Sequence, residues 1–152
     1  ERGVRHVLNS VRMHGANYKK QIAGLKKINR DFRTDIMYAE DNGMQQIFIQ
    51  MLEDAGLPVV GNTTYATNKK SLYKGIQSLA VLFESGRIKV PNGDERSKIL
   101  TDSYFAELNA MTYIQVTGKL ESTTQHDDCA MSLWQAENAA KGDADEFDFS
   151  FV

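Results

Sequence analysis

Glu40 closes the apolar run "DIMYAE" and is followed at once by Asp41, Asn42 and Gly43. Far downstream, "TQHDDCAMSLWQAENAA" sets His126, Asp127 and Asp128 ahead of an apolar, helix-forming run. Carboxylates at a helix start have an ordinary use, because their oxygens accept backbone N–H bonds and meet the positive end of the helix dipole. One is enough for that. Two acids and a His, joined by a Glu from elsewhere, also make an oxygen-rich donor set that suits Mg²⁺ or Mn²⁺ better than zinc. In open α/β sheets, ligands bind beyond the carboxyl ends of strands, where Glu40 is expected to stand. A surface acid, or a cap on the helix that follows, accounts for Glu40 equally well on spacing alone.

The elements that must position these groups can be read from periodicity and punctuation. "VRHVLNSVRM" (4–13) alternates apolar and polar residues and reads as a strand. "NYKKQIAGLKKINRDF" places Tyr18, Ile22, Leu25, Ile28 and Phe32 on one helical face, with lysine pairs on the other. "DIMYAE" has the form of a buried central strand. "NGMQQIFIQMLEDAG" is a helix closed by Gly56, and "LPVVGNTTY" is the next strand. "NKKSLYKGIQSLAVLFESG" reads as a long helix capped by Asn68, with Leu72, Ile76, Leu79 and Phe83 inward, and "RIKVPNG" as a short strand ending in a turn. A helix over 94–111, a strand with a turn at Gly118 and the helix of the His-Asp-Asp stretch complete the series. Alternating strands and helices predict an α/β domain with a sheet covered on its faces. It is expected to fill 1–142, leaving 143–152 as a mobile acidic tail.

The bulk properties set limits. The chain has 152 residues, one domain's worth, with 41% hydrophobic and 25% charged residues. No apolar run approaches the roughly 20 residues of a membrane span, and no leader pattern opens the chain, so no membrane partner is expected. The single cysteine, Cys129, excludes an internal disulfide and a Cys-based zinc cluster, which fits a reducing compartment. It reads as a small apolar filler of its helix, and Met131, Leu133 and Trp134 read as core. Net charge is −2, but the last ten residues carry four acids and no base, so 1–142 sum to +2. Half of the 18 Lys and Arg fall within the first 40 residues, a bias that permits a nucleic-acid partner.

Three stretches, taken in order, resemble the nuclease domain of tailed-bacteriophage large terminase subunits: "DIMYAEDNGMQQIFIQML", "TTYATNKKSLYKGIQSLAVLFESGRIKVP" and "TQHDDCAMSLWQA". The shared pattern is a strand ending in Glu before Asn-Gly, an Asn-Lys opening a helix, a Glu-x-Gly-x-Ile exit and a final His-Asp-Asp helix. It covers roughly 5–140. The resemblance implies an RNase H-like fold, a central mixed sheet flanked by helices. It implies a Mg²⁺- or Mn²⁺-dependent DNA endonuclease that cuts concatemeric double-stranded DNA during viral genome packaging, by a two-metal mechanism and with low sequence specificity. Carried onto this chain, Glu40, Asp127 and Asp128 are the catalytic metal ligands, with His126 beside them, and the pattern leaves open which Asp is primary. The family's first catalytic Asp lies on a first strand ahead of the one resembling "VRHVLNSVRM", so this chain is expected to lack all or part of that strand. Asp31 and Asp35 fall at the wrong end of the "DIMYAE" strand to replace it.

The implied partners are double-stranded DNA, a packaging ATPase domain, the portal and the small terminase subunit, with the work done in the cytoplasm of the infected host at the procapsid portal. No G-x-x-x-x-G-K-[ST] loop occurs here, so the ATPase is expected elsewhere. Lys69 and Lys70, at a helix start, and Lys19 and Lys20 are candidates for phosphate contact. Arg12, Lys26 and Lys27 could extend that track, although lysines on an amphipathic helix commonly form its wet face. His6 and His14 read as structural or surface residues. A DNA-binding or assembly module that has lost activity, and a resolvase-like nuclease acting on branched DNA, are the alternatives.

Overall fold

Asn17 starts the first long helix by a local rule: its side-chain oxygen accepts the backbone N–H of Lys20 at 3.0 Å. The computed structural model describes residues 3–43, 45–64, 75–114, 119–122 and 127–145. Among them the order is β1 (Arg5–His6), α1 (Tyr18–Phe32), β2 (Met37–Glu40), α2 (Gln45–Asp54), β3 (Val59–Asn62), α3 (Ser78–Glu84), β4 (Ile88–Lys89), α4 (Glu95–Ala110), β5 (Met111–Ile114), β6 (Lys119–Ser122) and α5 (Asp128–Asp145). β1 pairs with β4 and β2 with β3, both parallel, while β5 and β6 are antiparallel. The α/β class and the mixed pairing agree with the sequence. A continuous central sheet is not what the described residues form; they form three two-stranded sheets. No helix among them is long and apolar enough to cross a membrane.

Backbone contacts divide the chain into two compact units, Glu1–Val11 with Tyr65–Trp134, and Arg12–Thr64 with Gln135–Val152. The first has its own core of Ile76, Leu79, Ile88, Tyr104, Leu133 and Trp134, against which Val7, Phe83, Leu108 and Met131 pack. The inward placement of Ile76 and Leu79, and the core assignment of Leu133 and Trp134, therefore agree with their sequence pattern. The helix expected from Asn68 is seen from Ser78 onward, and its opening lies outside the described residues. α4 starts at Asp94, whose carboxylate accepts the Ser97 N–H at 2.9 Å and the Ser97 hydroxyl at 2.8 Å. These bonds hold the Asp94 carboxyl below its usual range.

The strand expected over 4–13 is only Arg5–His6. Its partner β4 is equally short and runs at once into Pro91 and the Asn92-Gly93 turn, so the ladder has nothing to extend along. Val7 packs against the core, but Leu8 and Val11, farther along the expected strand, are exposed. His6 and His14 are exposed too.

In the second unit, Ile49, Leu52, Leu57 and Val59 form the core, joined by Ile22, Leu25, Met37, Ala39 and Phe48. The α1 stripe is therefore narrower than its periodicity suggests. Ile22 and Leu25 pack inward, whereas Tyr18 and Phe32 remain largely exposed, Tyr18 stacking on Phe48 with ring centroids 5.0 Å apart. A Cβ at Gly24, inside α1, would stand 2.8 Å from the sulfur of Met13, a contact that the flexible end of that side chain can yield.

α2 ends as its sequence indicates. Gly56 takes φ +77°, its N–H donates to the Glu53 carbonyl at 2.8 Å, and the Leu57 N–H reaches back to the Leu52 carbonyl at 3.1 Å. An L side chain in this left-handed conformation is strained, so Gly56→Ala is expected to destabilise the protein by about 1–2 kcal/mol, measurable by urea unfolding. An unchanged midpoint would show that the helix end relaxes into another conformation. α5 runs on through Gly142 to Asp145, three residues into the segment expected to be tail.

Candidate metal-binding carboxylates

β2 pairs with β3 residue by residue, Met37 opposite Val59 and Glu40 opposite Asn62. Ala39 and Met37 face the core of their unit, and the pairing stops as the chain turns at Asp41–Gly43. Glu40 thus stands at the carboxyl end of a parallel strand, half-buried, as its position after "DIMYA" suggests. Two donors converge on its Oε1. The Asn42 amide donates to it at 2.8 Å, and the Thr64 hydroxyl forms a short hydrogen bond to the same oxygen. The Thr64 oxygen in turn accepts from the Asn42 amide at 3.0 Å, closing a three-residue network around the carboxylate. The Asn42 N–H is taken by the Gln45 side chain at 3.2 Å, which pins the turn to the start of α2.

The end of β3 is tied down as well. The Asn62 amide donates to Gln135 Oε1 of α5 at 2.5 Å, and both groups belong to the same unit. Glu137, one of the most buried residues of α5, faces Lys141 at 3.6 Å. Beside Glu40, the Asp41 carboxylate packs over the backbone of Gly61, and its Oδ1 is buried without a hydrogen-bond partner.

Asp127 and Asp128 belong to the other unit and open α5. The Asp127 carbonyl accepts the Met131 N–H at 2.9 Å, which makes Asp127 the N-cap by backbone geometry. Both aspartates are exposed. A side-chain acceptor at this helix start comes from another helix: Glu107 Oε2 of α4 accepts the N–H of Cys129 at 2.6 Å and that of Ala130 at 3.3 Å. A third residue thus takes part in the capping that the sequence assigns to the paired aspartates. Glu107 is 6% exposed and shares its helix face with Thr101, Tyr104 and Ala110. Burial raises the Tyr104 hydroxyl pKa above its usual value, with the nearby Cys129 and Glu107 adding to the effect.

His126, Lys69 and Lys70 lie outside the described residues. Lys19 and Lys20 are exposed in the first turn of α1. Lys27 is paired with Asp31, which also meets Arg30 at 3.4 Å, so this part of the lysine face is an internal ion-pair cluster. The hydrogen bond from Lys27 holds the Asp31 carboxyl below its ordinary range. Among the described residues no group of three or more His, Cys, Asp or Glu side chains is gathered around one point. The donors that are described are all carboxylate oxygens, a chemistry that fits a hard divalent cation.

Sequence reasoning did not find Thr64 or Glu107 as parts of these sites. Thr64 carries no local signal. Glu107 does, as a charged residue three positions after Tyr104 on the inward face of α4.

Parallel strand pairs, an antiparallel pair and a carboxylate at a strand's carboxyl end make this an α/β domain of mixed pairing. More narrowly, the chain belongs to the terminase RNaseH-like domain family, whose model matches residues 1–139. It is 28% identical over 138 residues to the large terminase subunits of Thermus phage G20c and Thermus virus P23-45. Those alignments take in 86% of this chain and 26% of theirs, so the chain spans about a quarter of the length of these curated relatives. Among solved structures it is similar to the large terminase nuclease of thermophilic phage G20c with bound magnesium, at 25% identity and a TM-score of 0.65, covering 83% of this chain and 64% of that one. The same nuclease with bound cobalt matches at 24% identity and the same TM-score, a likeness of fold.

Proposed function

We propose that this chain is the endonuclease domain of a DNA-packaging terminase, which hydrolyses phosphodiester bonds of concatemeric double-stranded DNA with divalent cations and little sequence preference. The observation that carries the reading is Glu40, held at the carboxyl end of a parallel strand in a domain of this family. The magnesium-bound relative supports the choice of cation. Glu40, Asp127 and Asp128 are the proposed ligands, with His126 beside them. A Mg²⁺ or Mn²⁺ pair held by these residues would activate the attacking water and stabilise charge on the leaving 3′-oxygen. Asn42 and Thr64 fix the Glu40 carboxylate in one orientation before any cation arrives, which lowers the ordering cost of binding. The further proposed partners are a packaging ATPase domain, the portal and the small subunit, in the cytoplasm of an infected host.

Lys19 and Lys20 are the described candidates for backbone contact. They occupy the first turn of α1, where the helix dipole disfavours cations and where there is no acid to offset them. A phosphate partner would relieve that cost. If both contact DNA, the Lys19→Ala/Lys20→Ala pair should lower the slope of log affinity against log salt by about 2, read by fluorescence anisotropy at several salt concentrations. An unchanged slope removes them from the interface.

The deciding test is nicking of supercoiled plasmid in Mn²⁺ with an EDTA control, alongside linear duplex and a four-way junction. Cleavage that EDTA abolishes, with duplex cut as readily as junction, is the expected outcome. Strong preference for the junction would replace the packaging reading with a resolvase-like one. Silence both here and on a chain extended N-terminally through the expected first strand would sink the nuclease reading.

A further inference from the structure

An N-cap side chain ordinarily accepts from the second or third helical N–H. In α5 those groups belong to Cys129 and Ala130, and both donate to Glu107 Oε2. The acceptor is therefore a buried carboxylate delivered from 22 residues upstream, while the N-cap residue itself is an aspartate with an exposed side chain. Burying a carboxylate is costly unless it is well bonded, and a helix that begins with two acids had a local solution available. The molecule uses the costlier one.

We propose that Glu107 is a positioning residue: it caps α5 from α4, and so spares Asp127 the capping role and lets its carboxylate serve a divalent cation. The inference rests on the metal-site reading above. Its physical content is a competition. Asp127 Oδ and Glu107 Oε2 are alternative acceptors for the same two donors, and an aspartate folded back onto its own helix start has its lone pairs aimed at N–H groups. With Glu107 in place, that local bond is not needed. Glu107 also anchors the helix start against the face of α4 that carries Tyr104, so the aspartates are presented from a fixed backbone.

The test compares Glu107→Ala, Glu107→Gln and Asp127→Asn with the parent, using Mn²⁺ alone as the probe in titration calorimetry, with a thermal melt of each protein. Glu107→Ala should weaken Mn²⁺ binding by about 10–100-fold well below its melting temperature, the usual penalty for removing a partner that orients a ligand, whereas Glu107→Gln, which keeps an acceptor oxygen, should stay within about threefold. Amide exchange at Cys129 and Ala130 should quicken in Glu107→Ala only. A Glu107→Ala protein that melts lower yet binds Mn²⁺ as tightly as the parent would show Glu107 to be a structural cap and overturn the proposal. If Asp127→Asn abolishes binding while Glu107→Ala does not, the Glu107 role fails and the metal site stands. A folded parent that binds no Mn²⁺ overturns the metal-site reading, and this proposal with it.

Discussion

Glu40→Ala is expected to lower Mn²⁺-dependent nicking by more than about 100-fold, since even groups that only orient a metal ligand cost about 10–100-fold when removed. The fold should survive. Glu40 is half-buried at a strand end, and Asn42 and Thr64, which both donate to it, already bond each other at 3.0 Å. Glu40→Gln is the sharper variant. It keeps an oxygen for the Asn42 amide and the Thr64 hydroxyl but removes the charge, so it separates anchoring the turn from holding a cation. Both variants should melt within a few degrees of the parent while neither cuts DNA. Full activity in Glu40→Gln would show that the charge is dispensable, and Glu40 would return to being a residue that ties β2 to the turn before α2.

Trp134→Ala should be the most damaging single change to stability. Trp134 is 2% exposed and packs in the core that includes Leu79, which is fully buried, with Ile76, Ile88, Tyr104 and Leu133. Removing a buried indole costs the transfer free energy of the lost atoms and leaves a cavity, together about 3–5 kcal/mol. Domains of this kind have about 5–15 kcal/mol in total, so the variant loses about a fifth of its stability or more. Urea unfolding should show a lower midpoint with an unchanged slope. A loss under about 1 kcal/mol would show that the site collapses around the gap and that this core is looser than its burial implies.

Several features were legible because their causes lie within a few residues of one another. Asn17 caps α1 three residues on, Asp94 caps α4 in the same way, and Gly56 ends α2 where a left-handed residue is required. Glu40 could be placed at a strand end because the apolar run before it and the Asn-Gly turn after it are contiguous in the chain. The resemblance of three ordered stretches to terminase nucleases was readable for the same reason, and the family match bears it out.

What the chain alone could not reveal depends on partners far away in sequence. β1 stops after His6 because β4, more than 80 residues later, has only two residues to offer it. The α1 stripe loses Tyr18 and Phe32 to solvent because what lies opposite decides which apolar residues are covered. Thr64 reaches Glu40 across 24 positions, Glu107 reaches the α5 amides across 22 and 23, and Gln135 meets Asn62 across 73. Caps and periodicity act within about one helical turn, so the sequence by itself determined which segments become helices, where several begin and end, and which acids stand at element ends. Tertiary packing alone decided that Glu107 caps α5 and that the Thr64 hydroxyl donates to Glu40, because a buried hydrogen bond is set by what the fold brings near, whatever the distance along the chain.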